Sequence, residues 1–238
     1  DMNLAGVEDL SGMFEGLSSL ESLDISGWDI SSVKDLSGMF AGMASLKSLD
    51  LTSWDVSSVE HFARMFDGCS SLVSLDLSGW DVSHATDLST MLSGLSGLTT
   101  LDLSDWDASC ATSVLAGLTD PALLQSLRLS GLAVSQGNIS GMFEPLSGLT
   151  SLDVSNWTIS GSPNLSGTFA PLSSLSSLNA SSWDVSGATS LSGLFSGCAK
   201  IESLDLSGWD VSRVCDFSSM FAGDAALVSL DLSSWDMG

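Results

Sequence analysis

Residues 20–40 read L-E-S-L-D-I-S-G-W-D-I-S-S-V-K-D-L-S-G-M-F, and residues 201–221 read I-E-S-L-D-L-S-G-W-D-V-S-R-V-C-D-F-S-S-M-F. The two stretches are the same unit. Tryptophan marks its recurrence at Trp28, Trp54, Trp80, Trp106, Trp157, Trp183, Trp209 and Trp235, with a spacing of 26 residues everywhere except one gap of 51. Leu132 takes the tryptophan place inside that gap, so the chain holds nine coils. Fixed self-similarity at such a period is the mark of a solenoid, in which no unit buries its own apolar face and stacking buries all of them.

Aligned by coil, the residues fall into columns. One is leucine throughout: Leu23, Leu49, Leu75, Leu101, Leu127, Leu152, Leu178, Leu204 and Leu230. A second apolar column, Ile25 to Leu232, lies two residues on. Between them runs an acid row: Asp24, Asp50, Asp76, Asp102, Asp153, Asp205 and Asp231, with Arg128 and Asn179 in the remaining places. Apolar and polar residues in alternation give a strand with one buried face. Leu23 and Ile25 point in, and Ser22, Asp24 and Ser26 point out. The stacked triplets then build a parallel sheet, one strand per coil. Farther on, D-L-S-G-M-F-E-G-L places Leu10, Met13, Phe14 and Leu17 at offsets of 3, 4 and 7. That spacing predicts one or two helical or 3-10 turns per coil.

Composition agrees with a folded, non-basic module. The chain of 238 residues carries 29 acids against 6 Lys and Arg, a formal net charge of −23, yet 44% of it is hydrophobic. A disordered acidic tail lacks that apolar content. Six cations provide no nucleic-acid footprint, and an anionic membrane surface repels the chain. No apolar run reaches the ~20 residues of a spanning helix. The sequence starts at Asp1 with no signal-peptide pattern and neither end carries a polar cap, so the expectation is a processed product or a segment of a longer protein. The uncapped ends also suggest self-association by stacking.

The run G-C-S-S-L-V-S-L-D-L-S-G-W-D-V-S at 68–83, together with D-L-S-G-M-F at 35–40, resembles the BspA-like leucine-rich-repeat surface proteins. These include the related repeat of mycoplasma surface lipoproteins. The resemblance covers essentially the whole chain. It implies a solenoid on a cell surface, with adhesion or protein binding as its role and no catalytic residues to carry over. The fold expected is an α/β repeat solenoid, a leucine-rich-repeat-like right-handed superhelix of nine coils, each with one short parallel strand and one helical or 3-10 turn. It forms a single domain over 1–238, with an irregular fifth coil at about 111–136 that lacks tryptophan.

Of the 23 Asp, 18 lie in three rows. Besides the strand row, one follows the tryptophans (Asp29, Asp55, Asp81, Asp107, Asp184, Asp210, Asp236) and another holds Asp9, Asp35, Asp87 and Asp216. Two readings of these rows stand. Asp is a turn residue that accepts backbone N–H bonds, and that reading suits the Asp29 row, which follows Gly-Trp. For the outward strand row, a binding face for a protein or glycan surface ligand is the competing reading. Calcium on stacked carboxylates and Ser hydroxyls is an alternative ligand, although no recognisable calcium loop occurs and no other cofactor or dedicated metal site is expected.

The tryptophans read as core rather than as a sugar platform. Cys69 and Cys198 share a column but lie five coils apart, and Cys110 and Cys215, in other columns, lie four coils apart, so all four are expected to be free thiols. His61 stands between Asp35 and Asp87 in its row, where it relieves repulsion; it and His84 lack further metal-ligating companions. No G-x-S-x-G elbow, phosphate loop or nucleophile–base pair occurs, so the module is read as non-enzymatic. Asn138, Asn156, Asn164 and Asn179 form N-x-S/T sequons. Glycosylation is one reading. The other is that an Asp-to-Asn change in a D-x-S turn makes a sequon by default. An extracellular adhesion or binding module is the first functional expectation, and a building block of a surface filament or layer, stacked end to end, is the alternative.

Overall fold

The S-L-D triplets are where the backbone becomes strand. The computed structural model describes all residues except 1–3, 119–122, 135–138, 140, 160–163, 181 and 237–238. The chain divides into two compact units, Asp1–Leu124 and Gln125–Gly238. In the first, β1 (Ser74–Asp76) pairs in parallel with β2 (Thr100–Asp102), Leu75 opposite Leu101 and Asp76 opposite Asp102. One α-helix follows, α1 (Ala108–Ala116).

The second unit contains β3 (Ser126–Arg128), β4 (Ala133–Val134), β5 (Ser151–Asp153), β6 (Thr158–Ile159), β7 (Ser177–Asn179), β8 (Ser203–Asp205) and β9 (Ser229–Asp231). Strand β5 pairs in parallel with β3 on one side and β7 on the other. The short β4 pairs with β6, and β8 with β9, again in parallel. Both units are thus built as parallel solenoids in the expected register.

The expected columns are the core. Leu75, Leu101, Leu127, Leu152 and Leu204 are buried, as are Ile25, Leu51, Leu77, Leu103, Leu129, Val154 and Leu206 beside them. The triplets Ser22–Asp24 and Ser48–Asp50 lie outside the hydrogen-bonded strands. Their leucines, Leu23 and Leu49, are only half-buried. There the coils are tied by single bonds, such as Lys47 N–H to Glu21 O at 3.2 Å, and by parallel bridges Asp9–Asp35 and Asp35–His61.

The helical turn expected in every coil is the main departure. Among the described residues only α1 and a 3-10 turn at Glu144–Leu146 are helical. Elsewhere D-L-S-G-M-F is a ladder between coils. Gly12 N–H donates to Ser37 O at 2.8 Å, Phe14 to Met39 O at 3.0 Å and Gly16 to Ala41 O at 2.8 Å. The intervening Met13 and Glu15 N–H groups donate three residues back, to Leu10 and Gly12. Every second N–H therefore leaves the coil, whereas an α-helix keeps each one within its own segment. Gly12 and Gly38, at φ 61° and 62°, supply the left-handed residue that this alternation requires. The 3-4-7 apolar spacing is real, but it arises from this turn ladder rather than from a helix.

Candidate functional site

The D-x-S tripeptide explains how the acid rows are placed. In the strand row, Asp24 Oδ1 accepts from the Ser26 backbone N–H at 3.2 Å and from its hydroxyl at 2.8 Å. The same backbone bond recurs at Asp50–Thr52, Asp76–Ser78, Asp102–Ser104, Asp153–Ser155, Asp205–Ser207 and Asp231–Ser233, over 2.9–3.1 Å. All seven strand-row carboxylates thus hold an Asx turn, the role that sequence reasoning assigned more readily to the Asp29 row. That row holds turns too, as Asp29–Ser31, Asp55–Ser57 and Asp81–Ser83 show. So does the third, at Asp9–Ser11, Asp35–Ser37, Asp87–Ser89 and Asp216–Ser218. The signal was present in the sequence: a Ser or Thr stands two residues after every one of these acids.

Turn-holding and outward presentation coexist, because each turn uses one carboxylate oxygen. Asp24, Asp50, Asp76, Asp205 and Asp231 are exposed, while Asp102 and Asp153 are half-exposed. The Ser26 hydroxyl and then its backbone N–H hold the Asp24 carboxyl below its ordinary value of 3.8; the neighbouring Asp50 opposes them and is the smallest influence. Asp50 and Asp205 are lowered by the same bonds, from Thr52 and Ser207. At these three residues local hydrogen bonding therefore outweighs the other influences.

Charge along the row is not uniform. Asp76 faces Asp102 and Asp205 faces Asp231 across paired strands. Asp153 is flanked by Arg128 on one side and Asn179 on the other. The Asn179 Nδ2–H donates to Asp153 Oδ1 at 3.1 Å. Ion pairs of 4 Å or less include Lys34–Glu8, Lys47–Glu21, and Arg64 with Glu15 and Asp67. No group of three or more His, Cys, Asp or Glu among the described residues is placed to hold a metal ion. His61 Nδ1 lies 3.2 Å from Thr86 Oγ1, and His84 Nδ1 lies 3.3 Å from Ser83 Oγ.

Of the sequons, Asn138 lies outside the described residues. Asn156, Asn164 and Asn179 are exposed. Asn164 Oδ1 accepts from Ser166 N–H at 3.0 Å, so asparagine substitutes for aspartate in the same turn.

The tryptophans are core: Trp54, Trp80, Trp106, Trp157, Trp183 and Trp209 are buried. None of the four cysteines is in a disulfide; Cys69 and Cys198 are buried, Cys110 is half-buried and Cys215 is exposed. Sequence reasoning missed Asp224, whose carboxyl oxygens are buried without a partner. Counting 26 residues on from the core cysteine Cys198 finds it.

No helix among the described residues is long and apolar enough to cross a membrane. In three dimensions the chain is similar to the receptor in the crystal structure of a TLR13–ssRNA13 complex, at 19% identity and a TM-score of 0.52, over 86% of this chain and 35% of that one. It is also similar to an internalin (inlF) from Listeria monocytogenes, at 17% identity and 0.43, over 87% and 64%. A leucine-rich-repeat protein of Leptospira interrogans gives 15% and 0.42, over 85% and 59%. The chain thus spans between about a third and two thirds of these relatives' lengths, and at these identities the likeness is one of fold. No curated protein matches it in sequence. A family model matches residues 1–106 and 137–238 and breaks off over the irregular coil that contains α1. The regular coils on either side, with the D-x-S turns described above, lie within the matched stretches, and the chain belongs to the family described as mycoplasma protein of unknown function, DUF285.

Proposed function

We infer that this chain is a non-enzymatic, extracellular or cell-surface binding module of the BspA-like kind, a single solenoid over residues 1–238 that recognises a cationic protein surface. The observation that carries this reading is the strand row. Exposed Ser and Asp flank a buried Leu in β1 and β8, so the row projects from a rigid core and its charge is held by local turns. The fold relatives with leucine-rich repeats support a binding role. The TLR13 structure holds single-stranded RNA, but a chain of net charge −23 repels phosphate. A basic protein patch fits the row, since steering by complementary charge speeds encounter and sets orientation.

Asparagine keeps the turn acceptor, as Asn164 does, and removes the charge. One variant therefore changes Asp24, Asp50, Asp76, Asp102, Asp205 and Asp231 to Asn. A second changes Asp29, Asp55, Asp81, Asp107, Asp184 and Asp210. Both are made in a host without N-glycosylation. Surface plasmon resonance against immobilised lysozyme, a basic protein probe, should show weaker binding for the first variant than for the second at equal net charge. Equal losses from both would remove the strand face from the argument.

A further inference from the structure

The column that closes each turn segment is apolar: Met43, Cys69 and Leu95 in the first unit, Leu146, Leu172 and Cys198 in the second, all buried. At the ninth coil the same column holds Asp224. Both of its carboxyl oxygens are shut off from solvent and neither has a hydrogen-bond partner. Burial without a partner disfavours the ionised form far more than the neutral one.

The other coils show what this position offers. Cys69 Sγ–H donates to the carbonyl of Phe40 at 3.1 Å, and Cys198 Sγ–H to that of Phe169 at 3.4 Å, each 29 residues back. The equivalent carbonyl for Asp224 belongs to Phe195. A carbonyl accepts and does not donate, so a carboxylate gains nothing there, whereas a protonated carboxyl has an O–H to give. Cys198, on the preceding coil, is the titratable side chain coupled to Asp224. Burial first and the Asp224 charge second push its thiol up to about 12, so it stays neutral. No charged side chain contributes to the Asp224 shift: burial raises it, and the nearby backbone N–H groups of Cys198 and Gly197, which are donated to Phe195 O and Ala222 O, oppose it more weakly. The nearest acids of its own coil, Asp216 and Asp231, are engaged by Ser218 and Ser233.

We propose that Asp224 is a protonation switch for docking of the ninth coil onto the eighth, with Phe195 O as the acceptor of the neutral carboxyl. In the docked state the ladder includes Phe195 N–H to Met220 O at 3.0 Å, Gly197 N–H to Ala222 O at 2.8 Å and Val228 N–H to Glu202 O at 2.9 Å. The folded carboxyl holds its proton to higher pH than the unfolded one. Its stabilising effect is therefore complete below the ordinary value of 3.8 and is lost as pH rises through the shifted one. Ionisation loosens the coil and uncovers the apolar face of the eighth, including Phe195 and Cys198.

Hydrogen exchange of the full chain, read by mass spectrometry from about pH 4 to pH 8 and corrected for intrinsic rates, tests this. Peptides from residues 219–232 should lose protection severalfold as pH rises, relative to peptides from residues 68–83. Asp224→Leu, the residue of the sixth and seventh coils, and Asp224→Asn should both abolish that pH dependence. Flat protection in the parent chain would overturn the proposal, and so would a pH dependence that survives in either variant.

Discussion

The indole Nε1–H of Trp106 donates to the backbone carbonyl of Leu77, 2.8 Å away and 29 residues earlier. The bond recurs from Trp54 to Ile25, Trp80 to Leu51, Trp157 to Leu129, Trp183 to Val154 and Trp235 to Leu206. Each of these tryptophans thus ties its coil to the coil before, whereas the buried Trp209 Nε1–H has no partner among the described residues. In the second unit the rings also stack, Trp157 on Trp183 at 4.9 Å and Trp183 on Trp209 at 5.2 Å between centroids. Trp106→Phe keeps a ring and removes the donor, while Leu77 O retains its 3.3 Å bond from Trp80 N–H. The lost hydrogen bond and reduced volume should cost about 1–2 kcal/mol. For a chain of this length that lowers the Tm by roughly 2–8 °C. Trp106→Ala should cost about 3–5 kcal/mol. Thermal unfolding followed by near-ultraviolet circular dichroism separates the three proteins, and a phenylalanine variant as stable as the parent would deny the indole bond any weight.

Asp76 tests whether the strand row serves the turn. Its Oδ1 accepts from Ser78 N–H at 3.0 Å, and it stands opposite Asp102. Asp76→Ala leaves that N–H to water and should lose about 0.5–1 kcal/mol. Asp76→Asn keeps an acceptor and relieves the repulsion, so its stability should equal or exceed that of the parent. Urea unfolding gives both differences, and an asparagine variant as weak as the alanine one would show that the negative charge itself is required.

The rows also fix the response to acid. Asp24, Asp29, Asp50, Asp55, Asp81, Asp205 and Asp210 are all lowered by hydrogen bonds from the Ser or Thr two residues on, first from the hydroxyl and then from the backbone. A lowered folded-state value means that the stabilising contribution is present above the ordinary value of 3.8 and is lost as pH falls through the shifted one. The contribution of these rows to stability should therefore decline only below about pH 4. At neutral pH, added salt should raise the Tm, because screening relieves repulsion among the acids. A salt-independent Tm would mean that the turns fully offset that repulsion.

The columns made the architecture legible because burial repeats with the period. Leu101 and Leu127 are fully buried for the reason that their alternation with Asp102 and Arg128 implies. The turn segment was misread because Leu10, Met13, Phe14 and Leu17 satisfy a helical spacing, while the hydrogen bonds that decide the matter come from another coil. Periodicity reports which side chains are buried and is silent on where an N–H points. The strand-row acids were left between two readings for a related reason: the outward position of Asp24 is visible from alternation, and its turn bond depends on Ser26, two residues on. Asp224 stayed hidden because one acid among so many attracts no notice until its column is traced.

Ser219 occupies the place that Gly12, Gly38, Gly167 and Gly193 fill in other coils, at φ 56°. A residue with a Cβ in that left-handed region costs about 1–2 kcal/mol. Glycine removes the strain and gives back up to about 1 kcal/mol through the freer unfolded chain. Ser219→Gly should therefore raise stability by up to about 1 kcal/mol, read as a higher urea midpoint at unchanged slope. A lower midpoint would show that the serine side chain holds something that glycine cannot.

The four cysteines give a direct measure of how firmly the column beneath them is closed. Cys215 is exposed and Cys110 half-buried, whereas Cys69 and Cys198 are fully enclosed and donate to the carbonyls of Phe40 and Phe169. Burial pushes the Cys69 thiol up to about 11 and the Cys198 thiol up to about 12, so neither supplies thiolate at neutral pH. A disulfide-exchange reagent needs both the thiolate and access to it. In the native protein Cys215 should react first and Cys110 more slowly, with Cys69 and Cys198 silent. In denaturant all four should react, since none is in a disulfide. Reaction of Cys198 ahead of Cys69 as pH rises, judged against the intrinsic rates of the denatured chain, is the order expected if the ninth coil opens while the third stays closed.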